Sequence, residues 1–526
     1  MDKEFCLLDE PWIKVLDSQN NCLEVSLKEV FRNAHLYRQL AGETSTQDAA
    51  ILRLLLAITG TVLYRYDDEG NEEDVLNFLD PESAILDRWK EYWEKGQFDY
   101  LIFDEYLEKY RERFYLFHPQ YPFWQVAGLD VGTDYSVINL YGNIKESNNS
   151  ACRHHFHMRD GESAENISYA EAARWLVYIN AYSVNVKTKI DGENKPTGVG
   201  RLGQLGLFFV NDDSLFRIIL LNLCALNSQG EAWGSPNPAW ETGVNRKPGE
   251  EIVPPDNFPQ ICTIQSRRLL LMREGDKING FRSIGGDYYS TKNDLLEPMT
   301  LLQRNKENDI IPKKHRMEIM SWREFSSILT NNKDLSPGLI SWISILKSEG
   351  CINRSKYITF RMVGLEYGDG MSYTNGDIYD QTLSLSRELL GEKGAGWIQR
   401  ISEEIQKCED MSSRVFYSFA KSISENIYRG DSRMRKQISA LLSRNYYFTI
   451  DGVFRDWLIN INPESDLKEE KMIQWERQSA VIAQNVVDQY LGSLSPQNLL
   501  LASNALARFR NDLFKMYQLK KGGNNA

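Results

Sequence analysis

The chain has 526 residues, a formal net charge of −12, 42% hydrophobic and 11% aromatic residues, which fits about two to four globular domains and excludes wholesale disorder. The acidic balance disfavours a protein that coats nucleic acid unaided, because phosphate binding draws mainly on Lys and Arg. Seven cysteines without a C-x-x-C pair exclude a disulfide framework or a Cys₄ zinc ribbon as organising devices.

In chain order, "MDKEFCLLDEPWIKV" reads as a short strand and turn rather than a secretory leader. "TQDAAILRLLLAITGTVLYRYD" predicts a strong helix, with an N-cap in the Ser45–Asp48 cluster. The apolar run within it is broken by Arg53 and reads as too short or too polar to span a bilayer. No membrane partner and a cytoplasmic location are expected. An aromatic, charged helix covers "AILDRWKEYWEKGQFDYLIFDEYLEKYRERF", followed by the turn-rich "FHPQYPFWQVAGL". "YAEAARWLVYINAYSV" predicts a helix capped by Ser168, and "LFFVNDDSLFRIILLNL" a strand, a turn at Asp212-Asp213 and a helix. From about 230 to 380, short strands and Gly/Pro/Asn turns dominate, with little helical periodicity.

Beyond about 380, four helical segments follow at 396–426, 431–447, 466–491 and 496–519. The first carries Ile398, Ile401, Ile405, Cys408, Phe419 and Ile423; the last carries Leu499, Ala502, Leu506, Phe509, Leu513 and Met516. Such 3–4 spacing gives each helix one apolar face, and four such helices make a bundle. The expected fold class is therefore α+β: a large irregular N-terminal α/β domain over 1–380 and a C-terminal four-helix bundle over 381–526.

Four stretches invite a chemical reading. "CRHHFH" gathers Cys152, His154, His155 and His157, a soft-metal donor set. Strand-like spacing splits the adjacent histidines, and no second ligand pair recurs at a metal-site interval. "TGVGRLGQLG" (197–206) is glycine-rich but lacks G-K-[ST] and the strand–turn–helix context of a phosphate loop. Arg267, Arg268, Arg273, Lys277 and Arg282 alternate along a strand-rich segment, where bases can hold a duplex backbone or simply face solvent. "YGDGMSYTNGD" (367–377) is a loose, three-glycine turn past the strand-like "KYITFRMVGLEY". No G-x-S-x-G, H-E-x-x-H or other catalytic signature appears, so no enzyme and no cofactor are expected.

"FCLLDEPWIKV", "FHPQYPFWQV", "YAEAARWLVYINAYSV", "LFFVNDDSLFRIILLNL", "NPAWE" and the four C-terminal helices occur in one order over most of the chain. In this the chain resembles the CasA family, the large subunit of the type I-E CRISPR Cascade surveillance complex. The resemblance implies a non-catalytic, DNA-binding subunit for antiviral defence. Such a subunit recognises the protospacer-adjacent motif in double-stranded DNA, helps to start strand separation, and recruits a helicase–nuclease. Its implied partners are the guide RNA, the backbone and small subunits, the target duplex and that effector, in a division of labour where base pairing reads most of the sequence.

The resemblance also places sites. A docking loop toward the guide RNA and neighbouring subunits falls on Asn148, Asn149, Arg153 and Phe156. A glycine loop falls where this chain has Lys187 and Lys189 instead, which makes phosphate contact by lysine the expectation. A basic finger falls on Arg282, with Lys277 second. A DNA wedge falls on Asp369, Gly370, Met371 and Ser372, with Met371 standing where relatives can carry an amide. The acidic net charge fits a subunit tethered by its complex. Two alternatives stay open: a metal-dependent nuclease or hydrolase built on Cys152, His154, His155 and His157, and a pure scaffold subunit.

Overall fold

A computed structural model describes residues 3–140, 165–184, 187–190, 193–196, 198–243, 247, 249–290, 292, 296–352, 356–368, 371 and 374–517. Of Lys187–Ile190 and Glu193–Pro196 only the backbone is described. The chain forms two compact units. The first comprises Met1–Ile319, Asp334–Asn353 and Thr359–Thr382; the second comprises Met320–Lys333, Arg354–Ile358 and Leu383–Ala526.

The first unit is built around one helix, Ser45–Arg65, on which nearly every side chain is buried. Its cap is Thr44, one residue ahead of the expected cluster, whose hydroxyl accepts from the Gln47 N–H at 3.2 Å. Contrary to the sequence expectation, this helix is long and apolar enough to cross a membrane, but its apolar window lies wholly buried inside the protein. A helix apolar on all sides belongs at the centre of a large core. Arg53 does not interrupt it because Glu297 meets its guanidinium there, Nη1 to Oε1 at 2.6 Å.

Tyr169–Tyr182 packs against this core helix and is capped as predicted, the Ser168 hydroxyl accepting from the Glu171 N–H. The aromatic stretch read as one helix is two, Pro81–Lys95 and Tyr100–Lys109. Gly96 ends the first at φ +73°, a conformation that costs glycine little and other residues more. A further helix, Gly338–Ser348, lies where only strands and turns were expected. Its buried Leu339, Trp342, Ile343 and Leu346 stand at i, i+3, i+4 and i+7, broken by Ser341, Ser344 and Ser348, a helical spacing inside a segment otherwise dominated by strands and turns.

The strands form small separate sheets, which is the α+β arrangement. Ile13–Asp17 pairs antiparallel with Cys22–Val25 and Tyr37–Leu40. Arg267–Glu274 and Lys277–Gly285 form a hairpin whose second strand also pairs with Thr133–Ser136. A third sheet has the order Thr374–Ser386, Tyr357–Tyr367, Leu207–Asn211, and Lys187–Ile190 pairs with Glu193–Pro196.

The second unit holds the expected helices. Ala395–Asp410 continues through a π-turn at Met411–Phe416 into Tyr417–Ile427, and Ser432–Ile459, Lys468–Gly492 and Pro496–Tyr517 follow. The second helix runs on to Ile459, well past the 447 expected from its pattern. The fourth buries Ala502, Ala505, Phe509, Leu513 and Tyr517, whereas Leu499 is exposed. Two alanines in the seam let Phe509 lie against Phe416 and Phe419, ring centres 6.2 and 5.8 Å away.

Candidate nucleic-acid interface

The basic hairpin turns through Gly275 and Asp276, with Glu274 opposite Lys277, and places Lys277 at its exposed tip. Gly275 supplies the positive φ (+63°) that tight hairpin turns need. Below the tip, the arginines serve the fold. Arg268 is buried and paired with Asp287, and Arg273 binds Glu4 and the Tyr169 hydroxyl while lying 4.4 Å over the Phe117 ring. The phosphate-contact reading of Arg267 and Arg268 is thereby corrected. Strand alternation sends successive side chains to opposite faces, but both faces are covered here, so neither guanidinium reaches solvent.

Arg267 has the more informative surroundings. Its guanidinium donates to the carbonyls of Val184 (3.0 Å), Gly198 (2.6 Å) and Ser266 (2.7 Å). Val184 and Gly198 flank the hairpin that holds Lys187 and Lys189, so one buried side chain ties both ends of that hairpin together. Burial, with no carboxylate partner among the described residues, lowers the Arg267 pKa to about 10.

Arg282 lies directly opposite Asp134 on the neighbouring strand. Nε and Nη2 grip its two oxygens at 2.6 and 3.0 Å, and Nη1 donates to the Leu129 carbonyl at 3.1 Å. Three of the five guanidinium N–H groups are thus engaged, which leaves two for an external anion.

The glycines of "TGVGRLGQLG" permit close packing. A Cβ on Gly203 would lie 2.1 Å from the Tyr367 hydroxyl, and one on Gly206 would lie 1.8 Å from the Lys313 carbonyl oxygen. Tyr367 closes the Tyr357–Tyr367 strand, and its hydroxyl donates to the Tyr182 carbonyl at 2.9 Å. Tyr182 ends its helix just before the lysine hairpin. The roots of the two hairpins read as DNA elements are therefore fastened at one place, by Tyr367 for one and Arg267 for the other. Neither residue carries a positioning signal in the sequence, because their partners are backbone carbonyls that leave no mark there.

At the tip of the long hairpin, Met371 holds φ +56° and its N–H donates to the Gly368 carbonyl at 2.9 Å. Its side chain is 38% exposed. A left-handed conformation in a non-glycine residue is uncommon and marks a position the surrounding chain dictates. Asp369, Gly370 and Ser372 lie outside the described residues, as do Asn148, Asn149, Arg153, Phe156, Cys152, His154, His155 and His157. Among the described residues, no group of three or more His, Cys, Asp or Glu side chains is placed to hold a metal ion.

A helical core, short antiparallel sheets with paired hairpin roots, and four C-terminal helices define a class of large mixed α/β and helical proteins. The sequence profile of the family described as CRISPR-associated protein Cse1 matches residues 7–486, and the chain belongs to that family. A curated relative, the CRISPR-associated protein CasA/Cse1 of Thermus thermophilus, is 25% identical over 485 residues, spanning 88% of this chain and 89% of its own. The crystal structure of Thermobifida fusca Cse1 superposes with a TM-score of 0.84 at 25% identity over 99% of both chains. Cse1 from Acidimicrobium ferrooxidans gives 0.79 at 22% identity, over 98% of this chain and 99% of that one. A chain of a solved CRISPR RNA-guided surveillance complex shares the fold, with a TM-score of 0.74 at 17% identity, over 98% and 100%.

Proposed function

We propose that the chain is a non-catalytic large subunit of a type I-E Cascade complex. In this role it reads the protospacer-adjacent motif of a duplex, uses the Met371 hairpin to begin strand separation, and presents the opened target to a helicase–nuclease. Family membership and the likeness to a chain of an RNA-guided surveillance complex support the assembly with guide RNA, backbone and small subunits. The observation that carries the wedge is Met371 itself: an exposed apolar side chain fixed in a left-handed turn at a hairpin tip. Apolar side chains inserted between base steps unstack them at a cost of a few kcal/mol, repaid by contacts to the bent duplex.

Lys277 at its exposed turn and the two unengaged N–H groups of Arg282 supply backbone contacts in this reading, with Lys187 and Lys189 on the second hairpin. Phosphate contacts of this kind fix register without reading sequence. The test is strand opening by the assembled, guide-loaded complex on a matched duplex, followed by base-analogue fluorescence. Met371→Ala is expected to slow opening about tenfold, equivalent to about 1.4 kcal/mol, with complex assembly unchanged. Motif-dependent binding and opening that stayed at wild-type levels would favour a scaffold role instead.

A further inference from the structure

We infer that Lys314 is the cationic half of the wedge, making a contact to a nucleic-acid phosphate beside the base step that Met371 enters. This rests on the reading above, that the hairpin tip meets a duplex. Lys314 lies in "IIPKKHR", just past the short strand Ile310–Pro312. Its exposed side chain brings Nζ to 3.8 Å from the Met371 sulfur.

The backbone that presents it is held on both sides. Lys313 donates its N–H to the Leu301 carbonyl at 2.7 Å, and its own carbonyl lies so close to Gly206 that no Cβ fits there. His315 places Nε2 2.8 Å from the Leu207 carbonyl oxygen and stacks its ring on Tyr379 at 4.7 Å and 7°. Between these anchors the lysine stem extends toward the tip.

Among the described residues its charge is uncommitted. Other bases of the first unit are committed: Arg316 is paired with Glu318, Arg361 with Asp380 and Arg282 with Asp134. Lys314 has no ion pair with a described carboxylate; its polar contact is the thioether, a weak acceptor. Protein packed along its stem lowers its pKa by desolvation, with nothing opposing. An ammonium so placed loses little by leaving a thioether and gains a charge-assisted bond on meeting a phosphate oxygen. Arg282, by contrast, already has its strongest bonds to Asp134. Insertion of Met371 would splay the backbone around the opened step, and a compact, flexible point charge suits the displaced phosphate better than a planar fork.

The experiment titrates a matched duplex into the assembled, guide-loaded complex over a series of KCl concentrations, with Lys314→Ala, Lys314→Arg and Met371→Ala. Lys314→Ala is expected to weaken binding about fivefold at low salt and to reduce the slope of log K against log[salt] by about one. Lys314→Arg restores the slope and recovers the affinity only in part, and Met371→Ala weakens binding with the slope intact. An unchanged affinity and slope for Lys314→Ala, beside a weakened Met371→Ala, overturns the lysine assignment and leaves the wedge standing. Wild-type behaviour of both variants overturns the wedge and the lysine with it.

Discussion

In the first unit Arg53 meets Glu297 across 244 residues of chain, Nη1 to Oε1 at 2.6 Å, with both side chains sealed from solvent. In the second, the buried Glu404 takes its cation from the next turn of its own helix, Lys407 Nζ to Oε1 at 2.8 Å. The same contrast recurs. Arg174 in the first unit reaches Glu24, Glu43 and the Trp12 carbonyl, whereas the second unit buries mainly apolar seams and a chain of hydroxyls, Tyr446–Ser479–Tyr517. An irregular fold of short sheets lacks long ladders to define its tertiary order, and guanidinium groups that satisfy distant carbonyls and carboxylates do part of that work. Helices packed by their apolar faces need fewer such ties, because i, i+3 and i+4 packing already sets their register.

The largest expected effect sharpens this contrast. Glu297→Ala leaves Arg53 buried without its carboxylate, which is expected to cost about 3–5 kcal/mol. Hydrogen exchange read on the amides of Ser45–Arg65 measures it, because those amides report the first unit's core rather than the bundle. Exchange at wild-type rates would mean that water or a rearranged side chain takes over from Glu297.

The contrast also explains what the sequence made legible. The four C-terminal helices can be read from spacing because each apolar face repeats within its own helix. Even there, spacing runs the fourth seam through Leu499, whereas the structure exposes Leu499 and buries Ala505 and Tyr517. Small residues that admit a neighbouring ring carry little hydrophobic signal. In the first unit, Arg267 and Arg268 read as surface bases because their partners lie far along the chain: Val184 and Gly198 are 83 and 69 residues away, and Asp287 is 19. The glycines of 197–206 looked like a failed phosphate loop, and their reason is a phenol and a carbonyl brought up by topology. The wedge reading of the Met371 tip comes from family resemblance alone, since a three-glycine turn by itself is an ordinary connector.

A second prediction concerns pH and the core helix. Asp48 sits in the first turn, where its Oδ1 accepts from the Gly42 N–H at 2.7 Å. Burial raises its pKa from 3.8 to about 7; the Gly42 bond and Arg361 oppose the rise, while Glu43 and Asp380 add to it. The folded chain therefore keeps a proton that the unfolded chain releases near pH 4. Stability contributed by this group is full below that point and falls as pH rises to about 7, because the unfolded state binds fewer protons over that window. Asp48→Asn removes the slope, so between pH 4 and pH 8 the variant is expected to gain about 4 kcal/mol relative to wild type. Denaturation curves of the two proteins that shift in parallel with pH would show that Asp48 ionises normally in the fold.

The smallest effect is expected in the bundle, where the contrast can be broken. Ser479 stands between two buried phenols, 3.0 Å from the Tyr446 hydroxyl and 2.7 Å from that of Tyr517. Ser479→Ala removes one oxygen, leaves the helix backbone undisturbed and strands two neutral hydroxyls that can still turn toward other acceptors. About 1–2 kcal/mol is expected, since a neutral group that loses its partner carries a smaller desolvation penalty than an ion. The readout is hydrogen exchange on Lys468–Gly492. Should Ser479→Ala loosen those amides as far as Glu297→Ala loosens the core helix, buried charge would not be what separates the two units. The hydroxyl chain would then be setting the bundle's register as firmly as Arg53 sets the first unit's core, and the four helices would owe their order to more than their apolar seams.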